Sequence, residues 1–329
     1  MADSAGTIAR PAPSAGLHHV TALCRDAQTN LDFYARVLGL RLVKRTVNFD
    51  DPGAYHLYYG DGLGRPGTIL TFFPYPHSRE GHAGAGQAVA VALAVPPGSL
   101  DWWEARLAAH GVVHARTVRF GGAERFITLY DPDGLAVELV AAAGGPDAVA
   151  WAVDAAAAGW DCPVPAEYAV RGLHGATLLE ADAKGTAGFL TEVLGFDEVG
   201  REGERVRYAT GDGGSAALID VLDMPTAGHA RTASGSIHHL AWRAVDDAQQ
   251  REWLMWLRSR SAHVSEVRDR CYFHSIYFHE PGGVLFEFAT DGPGFGIDEA
   301  PAELGSRLCL PPWYEELRPK IEAALPPLV

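Results

Sequence analysis

The sequence predicts an α+β fold of four βαβββ modules, arranged as two tandem halves. Three internal matches carry that prediction. Gly16-Leu17-His18 recurs as Gly172-Leu173-His174. Asp26–Leu40 (DAQTNLDFYARVLGL) lies without a gap on Asp182–Phe196 (DAKGTAGFLTEVLGF). Pro132–Glu138 (PDGLAVE) lies in the same way on Pro281–Glu287 (PGGVLFE). Self-similarity at such offsets marks repeated supersecondary units, and it is read before local structure.

Each module reads as a strand, a helix and then further strands. In the first, Leu17–Cys24 alternates like a strand. A helix follows from Asp26, a suitable N-cap, and Gly39 is placed to end it. Leu42–Val47, Ala54–Tyr59 and Thr68–Phe73 are short runs of β-branched and aromatic residues separated by Gly and Pro, hence strands. The second module runs from about Gln87 to Val140, with Pro-Pro-Gly-Ser at 96–99 leading into a helix over Leu100–His110. The third covers about Arg171–Val221 and the fourth Ser236–Thr290. The two halves are therefore expected at 16–145 and 171–290, each with curved, mostly antiparallel sheet flanked by helices. Ala141–Val170, rich in Ala, Gly and Pro, reads as the linker between them. A tail over 291–329 carries one short helix, Trp313–Leu325, which Pro319 should weaken. Its expected role is packing rather than chemistry.

With 329 residues, 47% of them hydrophobic and 21% charged, the chain is long enough to bury a large core. A net charge of −14 argues against a nucleic-acid or anionic-membrane partner, because such sites need a basic face. Cys24, Cys162, Cys271 and Cys309 are far apart and form no CxxC pair, as expected of reduced thiols in a cytoplasmic protein. Met1–Ala15 lacks the apolar stretch of a signal peptide, and no segment is long and apolar enough to cross a bilayer as a helix.

Among fourteen histidines, two adjacent pairs stand out: His18-His19 and His238-His239, each on the first strand of its module. Neighbours on a strand face opposite ways, so one member of each pair is expected to point into the concave face. Glu287 is the third anomaly. It sits in the apolar run Val284–Phe288, where an unpaired buried carboxylate costs several kcal/mol on the order of known polar-burial penalties. A glutamate on a solvated strand face would look the same. Beside two histidine-bearing strands, however, a metal cation explains it better. Two imidazoles and one carboxylate form the facial set of non-haem iron oxygenases, with open positions for substrate and oxygen. The other modules are depleted: Gly175 stands opposite His19, and Gln87–Val95 has no histidine. Glu138, the counterpart of Glu287, is expected to be a paired or solvated carboxylate beside a dead site. Thr71 occupies the position where a fourth ligand could sit, and it cannot act as a carboxylate base.

These residues also carry a family resemblance. Gly16–Thr21, Phe33-Tyr34 with Val37-Leu38-Gly39, Val43–Val47, and Tyr55–Tyr59 with Gly67-Thr68 form one series. Ile237-His238-His239, Asp269-Arg270, Tyr277 and Pro281–Glu287 continue it. Together they resemble the ring-cleaving hydroquinone dioxygenases of the vicinal oxygen chelate superfamily, the group holding the dichlorohydroquinone and methylhydroquinone enzymes. The resemblance runs from Gly16 nearly to the C-terminus. It implies iron(II) (Fe2+) bound by His19, His239 and Glu287; manganese(II) stays open, because ligand type alone does not decide the metal. It places His18, His238, Arg270 and Tyr277 around the metal as catalytic and substrate-binding residues, and Thr21 at a pocket position. Either His18 or His238 could take a phenolic proton. The implied partners are a small aromatic substrate and O2, with a homodimer or higher homo-oligomer as the assembly. His56 and His274 are expected to be structural or rim residues, and Trp102-Trp103 core.

Three other functions compete. A glyoxalase-like isomerase or lyase would want a second carboxylate at Thr71. A catechol extradiol dioxygenase takes its ligands from one half rather than from both. A metal-free binding protein has no need of an intact ligand set.

Overall fold

The computed structural model describes residues 8–143 and 148–329, so the expected boundary at 145 lies outside the described residues. The first module consists of β1 (Leu17–Cys24), α1 (Ala27–Leu31), β2 (Arg41–Asn48), β3 (Asp51–Gly60) and β4 (Ile69–Pro74). The second has β5 (Gln87–Val95), α2 (Leu100–Ala109), β6 (His114–Arg119), β7 (Glu124–Tyr130) and β8 (Ala136–Ala141). After α3 (Ala148–Ala157), the third has β9 (Gly172–Glu180), α4 (Lys184–Gly188), β10 (Asp197–Glu202), β11 (Arg205–Ala209) and β12 (Leu218–Asp223). The fourth has β13 (Ile237–Ala244), α5 (Asp247–Ser259), β14 (Arg268–Asp269), β15 (Phe273–His279) and β16 (Leu285–Pro293).

Local chemistry accounts for the helix ends. The Asp26 carboxylate accepts from Thr29 N at 2.7 Å and starts α1, a cap worth about 1 kcal/mol. Asp246 caps α5 in the same way through Gln249 N. Gly39, at φ +70°, closes the first helix as expected. The second half of that helix, Asp32–Val37, winds as a π-helix, which periodicity does not reveal. Trp253 of α5 is fully buried and stacks on Phe288 of β16 at 4.5 Å, fixing the helix to the back of its sheet.

Modules pair across the halves. One eight-stranded sheet has the order β14-β15-β16-β13-β1-β4-β3-β2, and the other β10-β11-β12-β9-β5-β8-β7-β6. Module one thus shares a sheet with module four, as the divided ligand set requires, through an antiparallel β1–β13 seam. Modules two and three share the other sheet through β5–β9.

The stretch read as a linker contains α3, whose Trp151 and Ala155 are buried in the main core. An alanine-rich run has high helix propensity, and here it finds an apolar surface to cover. In the tail, Pro312–Leu317 forms a 3-10 turn and α6 (Arg318–Ala324) follows it. Pro319 therefore stands in the first turn of a new helix, where its missing N–H costs nothing. The tail packs on module one: Tyr55 Oη donates to Pro326 O at 2.9 Å, and Tyr314 Oη to Phe49 O at 2.9 Å. Asp298, Glu299 and Cys309 cluster like metal ligands, but the buried Lys44 ammonium already bonds both carboxylates. That cluster is an ion pair pinning the tail.

Glu180 ends β9 buried, with Oε1 unpartnered. Burial, then the nearby Glu280 charge, push its carboxyl up to about 8. A carboxyl raised in the folded state costs nothing below the ordinary carboxylate range and destabilises as pH rises toward 8. Glu180→Gln is therefore expected to raise the melting temperature at pH 8.5 and to leave it nearly unchanged at pH 4.5. Equal shifts at both pH values would contradict the assignment.

Candidate metal centre and its cavity

Both histidine pairs lie on β-bulges in the β1–β13 seam. Leu17 pairs with Trp242 and His19 with Ala241, so His18 is an extra residue. Thr21 pairs with His239 and Ala22 with Ile237, so His238 is another. A bulge sets two residues opposite one and re-aims the side chains beside it. Strict alternation is therefore broken at these positions. The Nδ1 atoms of His18 and His19 lie 2.9 Å apart, and those of His238 and His239 2.8 Å apart.

The far ring nitrogens of His19 and His239 converge. Their Nε2 atoms are 3.2 Å apart, and Glu287 Oε2 lies 2.9 Å from His239 Nε2 and 3.5 Å from His19 Nε2. All three side chains are buried, and Glu287 completely so. Oε2 has no hydrogen-bond partner of good geometry, an orphaned buried atom that a cation would satisfy. Adjacent ligands about 2.1 Å from one ion are separated by roughly 3 Å, which matches this triangle. The donor set fits a divalent metal. Burial alone would raise the Glu287 pKa, but His19 and His239 outweigh it and hold the carboxyl well below its usual range. Burial lowers the His239 pKa against the pull of Glu287, which favours the neutral imidazole that has a lone pair to give.

Above the three donors opens a cavity of about 630 Å3, within the range of small-molecule sites. His56, His238, Arg270 and Tyr277 line it, with Asp50 and Phe49 from the β2–β3 turn on the opposite wall. Arg270 Nε donates to Tyr277 Oη at 3.0 Å and Nη2 to Asp50 at 2.8 Å, which ties the two walls together. His18 and Thr21 do not reach the cavity. His18 is buried behind His19 against Phe273. Thr21 hydrogen-bonds Thr71, whose hydroxyl also meets His56 Nε2 at 2.8 Å. His274 pairs with Asp247 away from the cavity, and Trp103 is buried in the core while Trp102 stacks on Tyr168. Phe49, Asp50 and Ser275 had no place in the sequence reading. Asp50 gave no signal. Ser275 did: it is the one small side chain in a strand otherwise of large residues, FHSIYFH.

The family model described as the Glyoxalase/Bleomycin resistance protein/Dioxygenase superfamily matches residues 16–139 and 172–288. The chain belongs to that superfamily. Full-length relatives narrow its place. The protein named "Putative ring-cleaving dioxygenase MhqO" of Bacillus subtilis is 44% identical, over 95% of this chain and 96% of its own. The "Chlorohydroquinone/hydroquinone 1,2-dioxygenase" of Sphingobium indicum is 34% identical over 93% and 94%. A crystal structure of a Bacillus subtilis protein described as a putative dioxygenase superposes with TM-score 0.90 at 43% identity, covering 97% and 98%. Glyoxalase I from Zea mays, at 13% identity and TM-score 0.60, shares the fold alone. Within the superfamily the chain stands with the ring-cleaving dioxygenases.

The dioxygenase's other sheet shows what becomes of the same scaffold without a ligand set. A Cβ at Gly175 would lie 2.6 Å from Leu218 O, so no side chain can replace His19 there. Hairpin registers make Phe126 the counterpart of Ser275, Thr128 that of Tyr277 and Arg119 that of Arg270. Arg270 is drawn aside to Asp50, whereas Arg119 reaches inward to Glu138 at 2.7 Å and also bonds Glu124. Arg207 bridges Glu124 and Asp220. The space left among these groups is about 10 Å3. Glu138 is thus a paired carboxylate, and a guanidinium fills this concave face.

Proposed function

We propose that this enzyme opens the aromatic ring of hydroquinones with O2, using iron(II) held by His19, His239 and Glu287, with manganese(II) as the alternative metal. The observation that carries the reading is the buried triangle of two Nε2 atoms and one carboxylate oxygen beneath the cavity. A divalent metal bound there supplies charge that favours a deprotonated phenol and a meeting point for substrate and oxygen.

The chain's own groups supply orientation. When Nε2 of each ligand histidine faces the metal, its proton sits on Nδ1 and is donated to the preceding histidine. His18 thereby orients His19, and His238 orients His239. In that tautomer His238 carries its own proton on Nε2 and, lining the cavity, would donate it to a substrate oxygen. A para-diol can bring only one oxygen to the metal. Arg270 and Tyr277, locked to one another and to Asp50, would hold the ring and bond negative charge developing on oxygen. We further place the enzyme in the cytoplasm as a homodimer or higher homo-oligomer. Four free cysteines support the compartment. Among the described residues, no helix is long and apolar enough to cross a membrane.

The test is oxygen uptake and ring-opened product, measured side by side with hydroquinone, methylhydroquinone, chlorohydroquinone, catechol and a methylglyoxal–glutathione adduct. The hydroquinones are expected to lead. Catechol turning over clearly faster would move the enzyme to the extradiol group. Isomerisation of the thiol adduct without oxygen uptake would refute the reading.

A further inference from the structure

Ser275 is fully buried on β15, two residues before Tyr277. Its hydroxyl donates to Glu287 Oε1 at 2.5 Å. The other carboxylate oxygen, Oε2, is the one that faces His19 and His239. A carboxylate can offer a cation one oxygen or two, and a hydrogen bond that holds one oxygen turned away favours ligation through the other. Resting on the metal reading above, we infer that Ser275 is a positioning residue that confines Glu287 to one-oxygen ligation. Three protein donors then leave three positions of an octahedral ion open, whereas a two-oxygen glutamate would leave two.

The other sheet, whose concave face is closed, supports this. Glu138 occupies the place of Glu287 there, but Ser275 is replaced by Phe126, whose ring packs under the Arg119 guanidinium at 4.3 Å. The hydroxyl is present in the sheet that has the ligand set and absent in the sheet that lacks it. Ser275 pairs with the buried Ala289 of the next strand, and its same-face neighbours Phe273 and Tyr277 line the cavity.

Cobalt(II) titrated into the metal-free protein and followed by visible absorbance tests the role without relying on turnover. Ser275→Ala, a substitution small enough to keep the fold, is expected to weaken cobalt binding by about 10–100-fold. Its absorption should also change as Oε1 takes one of the three open positions in place of water. Ser275→Thr, which keeps the hydroxyl, should return both toward wild type. Unchanged affinity and spectrum in Ser275→Ala would overturn the inference while leaving the metal centre standing, provided His19→Ala loses cobalt. If wild type and His19→Ala bind cobalt alike, the metal centre itself is refuted.

Discussion

His19→Ala, His239→Ala and Glu287→Ala are each expected to abolish turnover and tight metal binding, whereas Glu138→Ala keeps both. The three ligand atoms lie 2.9–3.5 Å apart, and removal of any one leaves only two donors of the set. Glu138 is bonded to Arg119 in the other sheet, where about 10 Å3 remains for any ion. One equivalent of metal per chain follows, although the fold repeats its modules. Metal analysis of anaerobically purified protein, beside oxygen uptake for each variant, checks the claim. Two tightly bound equivalents, or loss of metal in Glu138→Ala with retention in Glu287→Ala, would show that the sheets have been assigned the wrong way round.

Arg119→Ala should be the most destabilising change far from the cavity, by about 3–5 kcal/mol, because it strips the cation from a buried network. Arg119 bonds Glu138 and Glu124 and lies 3.9 Å from Asp220, all with side chains mostly out of solvent. Burial opposes ionisation of Glu124, yet His174 and the arginines hold its carboxyl far below the usual range. A carboxyl depressed in this way contributes stability above the ordinary carboxylate pKa, and the contribution is lost as pH falls. The cost of Arg119→Ala should therefore shrink in acid, as the abandoned carboxylates take up protons. Replacing the pair together, Arg119→Met with Glu138→Leu, should cost less than the sum of the single changes, since no charge is left without its partner. Denaturant unfolding at pH 7 and pH 4.5 measures all of this. A loss under about 1 kcal/mol for Arg119→Ala would mean that the network is solvated and weak.

Much of the architecture was legible because modules repeat. The aligned Asp26 and Asp182 runs placed two helices, and the aligned Pro132 and Pro281 runs placed two final strands with their glutamates. Glu287 was visible as a charge in an apolar strand, and the histidine pairs were visible as doublets on first strands. Less could be read where a neighbour decides. The Ala141–Val170 stretch has a linker's composition, yet α3 forms within it because an apolar surface is there to cover. Pro319 looked like a helix breaker and instead begins a helix.

By itself, then, the sequence determined the four modules, their order and the residue types able to hold a metal, because periodicity and repeats are local properties of the chain. Only the tertiary structure decided how those residues act together. His19 and His239 are 220 positions apart and meet through the β1–β13 seam. The bulges in that seam turn two alternating doublets into ligand-and-support pairs. Register alone sends Arg119 into one concave face, while Asp50 holds Arg270 aside in the other. Contacts between residues so distant in the chain leave no spacing to read, and their energies exist only once the sheets have closed.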